Sequence, residues 1–166
     1  METASRACRR IAVAFREAVG VNKQAEDSEE SEAEGTSDAK SASASLQERL
    51  GRVYVDLVKD RGTLLTVMHL FTLGHHDSIG PLARDEFLEI YRILREELGL
   101  GAQDAERFLS KGMLINTVLG LRLPDAVSTE LEAKELLDCI FDESAPEIVE
   151  FVTGQKPLGQ VSRGAF

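Results

Sequence analysis

The stretch AQDAERFLSKGMLINTVLGLRLP, residues 102–124, decides the fold. Its first half is amphipathic, with Ala105, Phe108 and Leu109 at the three- and four-residue steps of one helix face. Its second half is apolar around the whole circumference, through Met113, Leu114, Ile115, Val118, Leu119 and Leu121. A chain of 166 residues supports one domain with a real core. One such core rarely covers a helix on all sides, so the second apolar face predicts a subunit interface. Gly112, Asn116 and Gly120 recur at i, i+4 and i+8, a strip on which another helix can approach closely. Pro124 ends the helix.

The same periodicity extends to both sides. Towards the C-terminus a helix is predicted over about Ser128 to Glu143, with Ala133, Leu136, Leu137, Ile140 and Phe141 inward and acids outward. Pro146 to Val152 adds a turn or two, and residues 144–166 read as a flexible tail. Towards the N-terminus, Asp77 or Ser78 is the expected cap of a helix with Pro81 in its first turn. It reaches about Leu98 on the stripe Ala83, Phe87, Ile90, Tyr91, Leu94 and Leu98, and Gly99-Leu100-Gly101 ends it. Thr63 to Leu73 is a short helix, apolar nearly all round, and Gly74 to Ser78 is a turn. Ser45 and Glu48 form a capping box ahead of Leu46, Leu50, Val53, Tyr54, Leu57 and Val58, and Asp60-Arg61-Gly62 breaks that helix. Residues 1–20 form a first helix, with Ala4, Ala7, Cys8, Ile11, Ala14, Phe15 and Ala18 on its apolar side and Gly20 as its stop. No alternating strand pattern and no internal repeat is present, so the fold class is all-α.

Residues 21–45 differ from the rest. They carry Glu26, Asp27, Glu29, Glu30, Glu32, Glu34 and Asp38 and no aromatic or large aliphatic side chain beyond Val21. Such a run cannot offset the entropy of ordering and reads as a disordered acidic insert. The net charge of −10 argues against direct contact with DNA, whose phosphates require a basic face. No apolar run reaches the roughly 18 residues of a membrane span, and no secretory signal is visible. Cys8 and Cys139, inside helical patterns, therefore read as free, packed thiols of a cytoplasmic protein.

Several stretches resemble the TetR family of transcriptional regulators. RRIAVAFREAV (residues 9–19) resembles the segment joining that family's DNA-binding and sensing halves. LGRVYVDLVKDRGTLLTVMHLFTLGHHDSIGPLAR (50–84) resembles its next two helices and turn. RFLSKGMLINTVLGLRLP (107–124) resembles its first dimerisation helix, and ELLDCIF (135–141) stands where the second belongs. The resemblance implies a C-terminal-domain-like bundle of about six helices over residues 46–143, dimerising through a four-helix bundle. It also implies an apolar effector pocket among the middle helices. The family places a helix-turn-helix before this region, and the chain begins too late to hold one. The expected function is thus the effector-binding and dimerisation half of a regulator, reaching DNA only through a head not in this chain or one on a partner. The alternative is a helical interaction module whose acidic insert binds a basic partner.

The candidate ligand-binding residues are Met68, His69, Phe71, Phe87, Tyr91, Phe108, Met113 and Asn116, with His69 and Tyr91 as the polar contacts. Bulky residues at helical spacing are ordinarily core, and the resemblance is what implies that several of these line a cavity. Asn116 reads equally as a ligand partner, a register-setting interface residue or a satisfied core amide. The candidate dimer interface is Gly112, Ile115, Val118, Leu119, Leu136, Leu137 and Ile140. The expected partners are a second copy or a related regulator and a small apolar effector, with no membrane. His69, His75, His76 and Asp77 have ligand chemistry, but two adjacent histidines in a turn diverge and Asp77 is wanted as a cap, so no metal is expected. No nucleophile elbow, phosphate loop or paired catalytic carboxylates occur, so neither a cofactor nor enzyme activity is expected.

Overall fold

The structure, a computed structural model, describes residues 2–26 and 36–154, with side-chain environments for 3–18 and 45–154. Seven α-helices occur among these residues, and no strand does: α1 (Glu2–Glu26), α2 (Thr36–Lys59), α3 (Arg61–Thr72), α4 (Gly80–Arg92), α5 (Ala102–Gly120), α6 (Leu131–Phe141) and α7 (Ala145–Gly154). The all-α class is as the periodicity predicts. The chain divides into two compact units, Met1–Asn116 and Thr117–Phe166.

In the first unit α1 packs against α2, α3 and α4. Its apolar side supplies Cys8, Ile11 and Phe15, each 1% exposed, and these meet a core of Leu50, Val58, Val67, Ile93 and Leu94. Two polar clamps hold α1 in register. Near its start the Arg10 guanidinium donates to Asp60 Oδ2 at 3.1 Å and to Thr63 Oγ1 at 2.9 Å. Near its middle Arg16 donates to both oxygens of Glu97, at 2.7 and 2.6 Å, and to Glu89 at 3.1 Å. These ion pairs are about half exposed, so they orient the helix more than they stabilise it.

The break between α2 and α3 falls at Asp60, as the sequence predicts, and Asp60 caps α3 by accepting from the Gly62 N–H. The start of α4 differs from expectation. Its cap position is Ile79, with no side-chain cap; Ser78 Oγ instead pairs with His76 Nδ1 at 3.2 Å, and Asp77 is exposed. Backbone does the capping: the Gly80 N–H donates to His76 O at 2.7 Å, and Pro81 sits in the first turn. Gly80 is required there, because a Cβ would lie 2.5 Å from Gly74 O. After Arg92 the helix widens into one π-type turn, Ile93–Glu97, closed by Leu98 N–H to Ile93 O and Leu100 N–H to Leu94 O. Gly99, at φ +68°, turns the chain out of it.

Two sequence expectations about helix ends are corrected. α1 continues through Gly20 to Glu26, and α2 begins at Thr36, so Ser45 lies inside a helix and is not its cap. A single glycine costs a helix only about 1 kcal/mol, and the Ala-, Lys-, Gln- and Glu-containing flanks hold no proline. The stretch read as wholly disordered, 21–45, is therefore helical at both ends, and its middle, 27–35, lies outside the described residues. So do the last residues of the predicted tail, 155–166, whereas 145–154 form α7.

In the second unit α6 and α7 pack on each other and on a short 3-10 turn, Leu123–Ala126. Pro124, Leu137 and Ile148 form its fully buried centre, whereas Cys139, expected to be packed, is on the exposed side of α6. Arg122, at φ 55°, turns the chain after α5, with its side chain held by Asp125 at 2.6 Å and by Val152 O at 3.0 Å. Asp142 ends α6 at φ 48°, ψ −127°, a strained conformation for a residue with a Cβ.

Candidate functional site

Five helices of the first unit converge on one apolar cavity of about 30 Å³. Ile11 comes from α1, Tyr54 from α2, Val67 and Phe71 from α3, Phe87 and Ile90 from α4, and Phe108, Leu109, Gly112 and Met113 from α5. Ile11, Tyr54, Val67 and Ile90 are buried and form its floor. Phe71, Phe87, Phe108 and Leu109 are half-buried and Met113 is 40% exposed, so the rim faces outward. Phe71 and Phe87 meet edge to face at 5.5 Å between ring centres. Phe15 stacks behind the wall, 5.6 Å from Phe108 and 6.2 Å from Tyr54.

The polar groups beside this cavity are few and buried. The Tyr54 hydroxyl donates to Asn116 Oδ1 at 2.9 Å, and Asn116 is 1% exposed. Burial pushes the Tyr54 phenol up to about 12, against a smaller opposing pull from the Asn116 hydrogen bond. Burial likewise pushes the Cys8 thiol up to about 11, with the Glu86 carboxylate adding to it. Both groups are neutral at physiological pH. The small-residue strip on α5 is filled from within the chain: the Tyr54 ring lies on Gly112, where an added Cβ would stand 3.4 Å from Cε1.

The cavity brings together four of the residues expected to bind ligand: Phe71, Phe87, Phe108 and Met113. Asn116 stands behind its wall. The two expected polar contacts do not line it. His69 is exposed and its Nδ1 pairs with Leu65 O of its own helix at 2.7 Å; Tyr91 is half-buried, as is Met68, and neither borders the cavity. His69 is two residues from both Val67 and Phe71, about 160° round α3 from each, and so faces away, whereas Tyr91 stands one residue, about 100°, past Ile90 on α4. The polar group on the wall is Tyr54, which the sequence shows only as one member of a buried stripe. Its signal was the Gly112 and Asn116 spacing, read as room for a partner helix.

The candidate interface residues are mostly enclosed by the chain itself. Ile115, Val118, Leu119, Leu137 and Ile140 are each at most 5% exposed, and Gly112 is covered by Tyr54. Leu136 is 40% exposed. The apolar girdle of α5 thus splits into buried Ile115, Val118 and Leu119 and exposed Met113 and Leu114. Leu121, Leu131 and Phe151 are exposed on the second unit.

Among the described residues no group of three or more His, Cys, Asp or Glu side chains could hold a metal ion. The His75 and His76 ring centres are 6.4 Å apart, and His75 Nδ1 is engaged by Thr72 O. No helix among the described residues is long and apolar enough to cross a membrane. No family model, curated protein or solved structure matches the chain.

Proposed function

We propose that the chain is the effector-binding and dimerisation part of a TetR-like transcriptional regulator, and that its effector is a small, largely apolar molecule bound in the five-helix cavity. The observation that carries this reading is the cavity itself. Its lining is apolar but for one hydroxyl, its floor is rigidly buried, and its rim is built of half-buried aromatic and methionine side chains that can part. A cavity of about 30 Å³ holds no effector as it stands, so binding displaces the rim outward. The resemblance of residues 9–19, 50–84, 107–124 and 135–141 to that family supports the regulatory assignment. A second apolar surface, including Leu136, supports pairing with another copy or a related chain.

The test is a thermal-unfolding screen with benzene-sized apolar probes. A ligand that binds only the folded state raises the midpoint as its concentration exceeds the dissociation constant. The wild type is expected to gain several degrees at saturation. Met113→Trp, which covers the mouth from an exposed rim position, is expected to gain nothing. Equal behaviour of the two proteins across the screen would overturn the reading.

A further inference from the structure

Asn116 has two amide donors and a carbonyl acceptor, and the structure uses only the acceptor. Its Nδ2 is buried and has no hydrogen-bond partner among the described residues. An orphaned buried donor is uncommon enough to require a cause. Nδ2 shares its carbon with the oxygen that binds Tyr54, so it stands beside the Tyr54 hydroxyl, and the Tyr54 ring is part of the cavity wall. One helical turn before Asn116 the wall is Gly112, on which the Tyr54 ring lies, so that ring alone stands over the approach from Gly112 towards Asn116. The cavity is lined by no charged side chain.

We propose that Asn116 Nδ2 is the specificity donor of this site, and that the ligand is a neutral, mainly apolar molecule bearing one hydrogen-bond acceptor, such as a ketone or ester carbonyl. This rests on the cavity's being a ligand site. The apolar body of the ligand replaces the rim contacts, and its acceptor meets Nδ2 as the Tyr54 ring shifts off Gly112. A carboxylate or ammonium would lose its hydration with no countercharge in the lining, so charged ligands are excluded. A pure hydrocarbon of the same shape leaves Nδ2 unsatisfied, and a site with an unmet donor discriminates against it.

Acetophenone and α-methylstyrene form a matched pair, differing only by C=O against C=CH2. Their dissociation constants are to be measured by titration into the wild type and into Tyr54→Phe/Asn116→Leu. The double variant replaces both partners of the buried bond by apolar groups of similar shape, which is nearly neutral for folding, and circular dichroism verifies that it is folded. The ratio of the α-methylstyrene to the acetophenone dissociation constant is expected to be at least ten-fold larger in the wild type. Comparing ratios cancels the different hydration of the two probes. Binding of both probes to the wild type with equal ratios in the two proteins would overturn the role of Asn116 and leave the apolar site standing. Failure of acetophenone alone to bind the wild type would overturn this inference, and failure of both probes would overturn the site with it.

Discussion

At the residue scale, the chemistry concentrates on two side chains. Tyr54 stays neutral through the physiological range, because burial holds its phenol near 12, and its hydroxyl is a donor fixed on Asn116. Tyr54→Phe leaves a second Asn116 atom unpaired and is expected to lower stability by about 1–3 kcal/mol in urea unfolding. Asp60 has three donors: the Thr63 hydroxyl at 2.7 Å, the Arg10 guanidinium and the Gly62 N–H. The Thr63 bond first, then the others, hold its carboxyl below the usual carboxylate range. A folded-state pKa below the unfolded one contributes stability that is present above the unfolded value, about pH 4, and is lost as pH falls through the folded one. Asp60→Ala is therefore expected to cost about 0.5–2 kcal/mol at neutral pH, the worth of a helix cap, with the difference shrinking in acid. Denaturant midpoints of the two proteins at pH 7 and pH 3 check this, and a gap that does not shrink would refute it.

At the scale of elements, most helices were legible because three- and four-residue periodicity is a direct image of one buried face. Residues 46–58 and 83–98 show it plainly. The ends were less legible, since caps are decided by backbone geometry as much as by residue type. Ser45-x-x-Glu48 has the letters of a capping box but lies inside α2. Asp77 and Ser78 have capping side chains, yet the peptide of Gly80 reaches His76 O first. Nothing in the letters marks Ile93–Glu97 as a π-type turn. The cavity was half legible: bulky residues on the middle helices were in view, but which face each presents depends on crossing geometry that periodicity does not give. Two substitutions test the observed ends. Gly80→Ala forces a Cβ against Gly74 O and is expected to lower the unfolding midpoint, and a neutral result would show that this turn can shift. Asp142→Gly removes the Cβ strain at φ 48° and is expected to raise the stability of the second unit by about 1 kcal/mol by calorimetry.

At the scale of the whole molecule, exposure separates residues that hold the fold from residues free to meet a partner. Leu137 is 1% exposed, so Leu137→Ala is expected to destabilise its unit by about 2–5 kcal/mol. Leu136, its neighbour, is 40% exposed; Leu136→Glu is expected to leave the unfolding midpoint almost unchanged while lowering the mass measured by light scattering, if that surface pairs as proposed. An unchanged mass in a dimeric wild type would place the pairing surface elsewhere. The chain has no tryptophan and two tyrosines, Tyr54 and Tyr91, so its near-ultraviolet emission comes from phenol rings alone. One of those rings borders the cavity and the other does not. Tyr54 is thus a built-in optical reporter: an occupant that touches its ring changes the emission with no dye attached, and Tyr54→Phe silences that change while Tyr91 continues to emit.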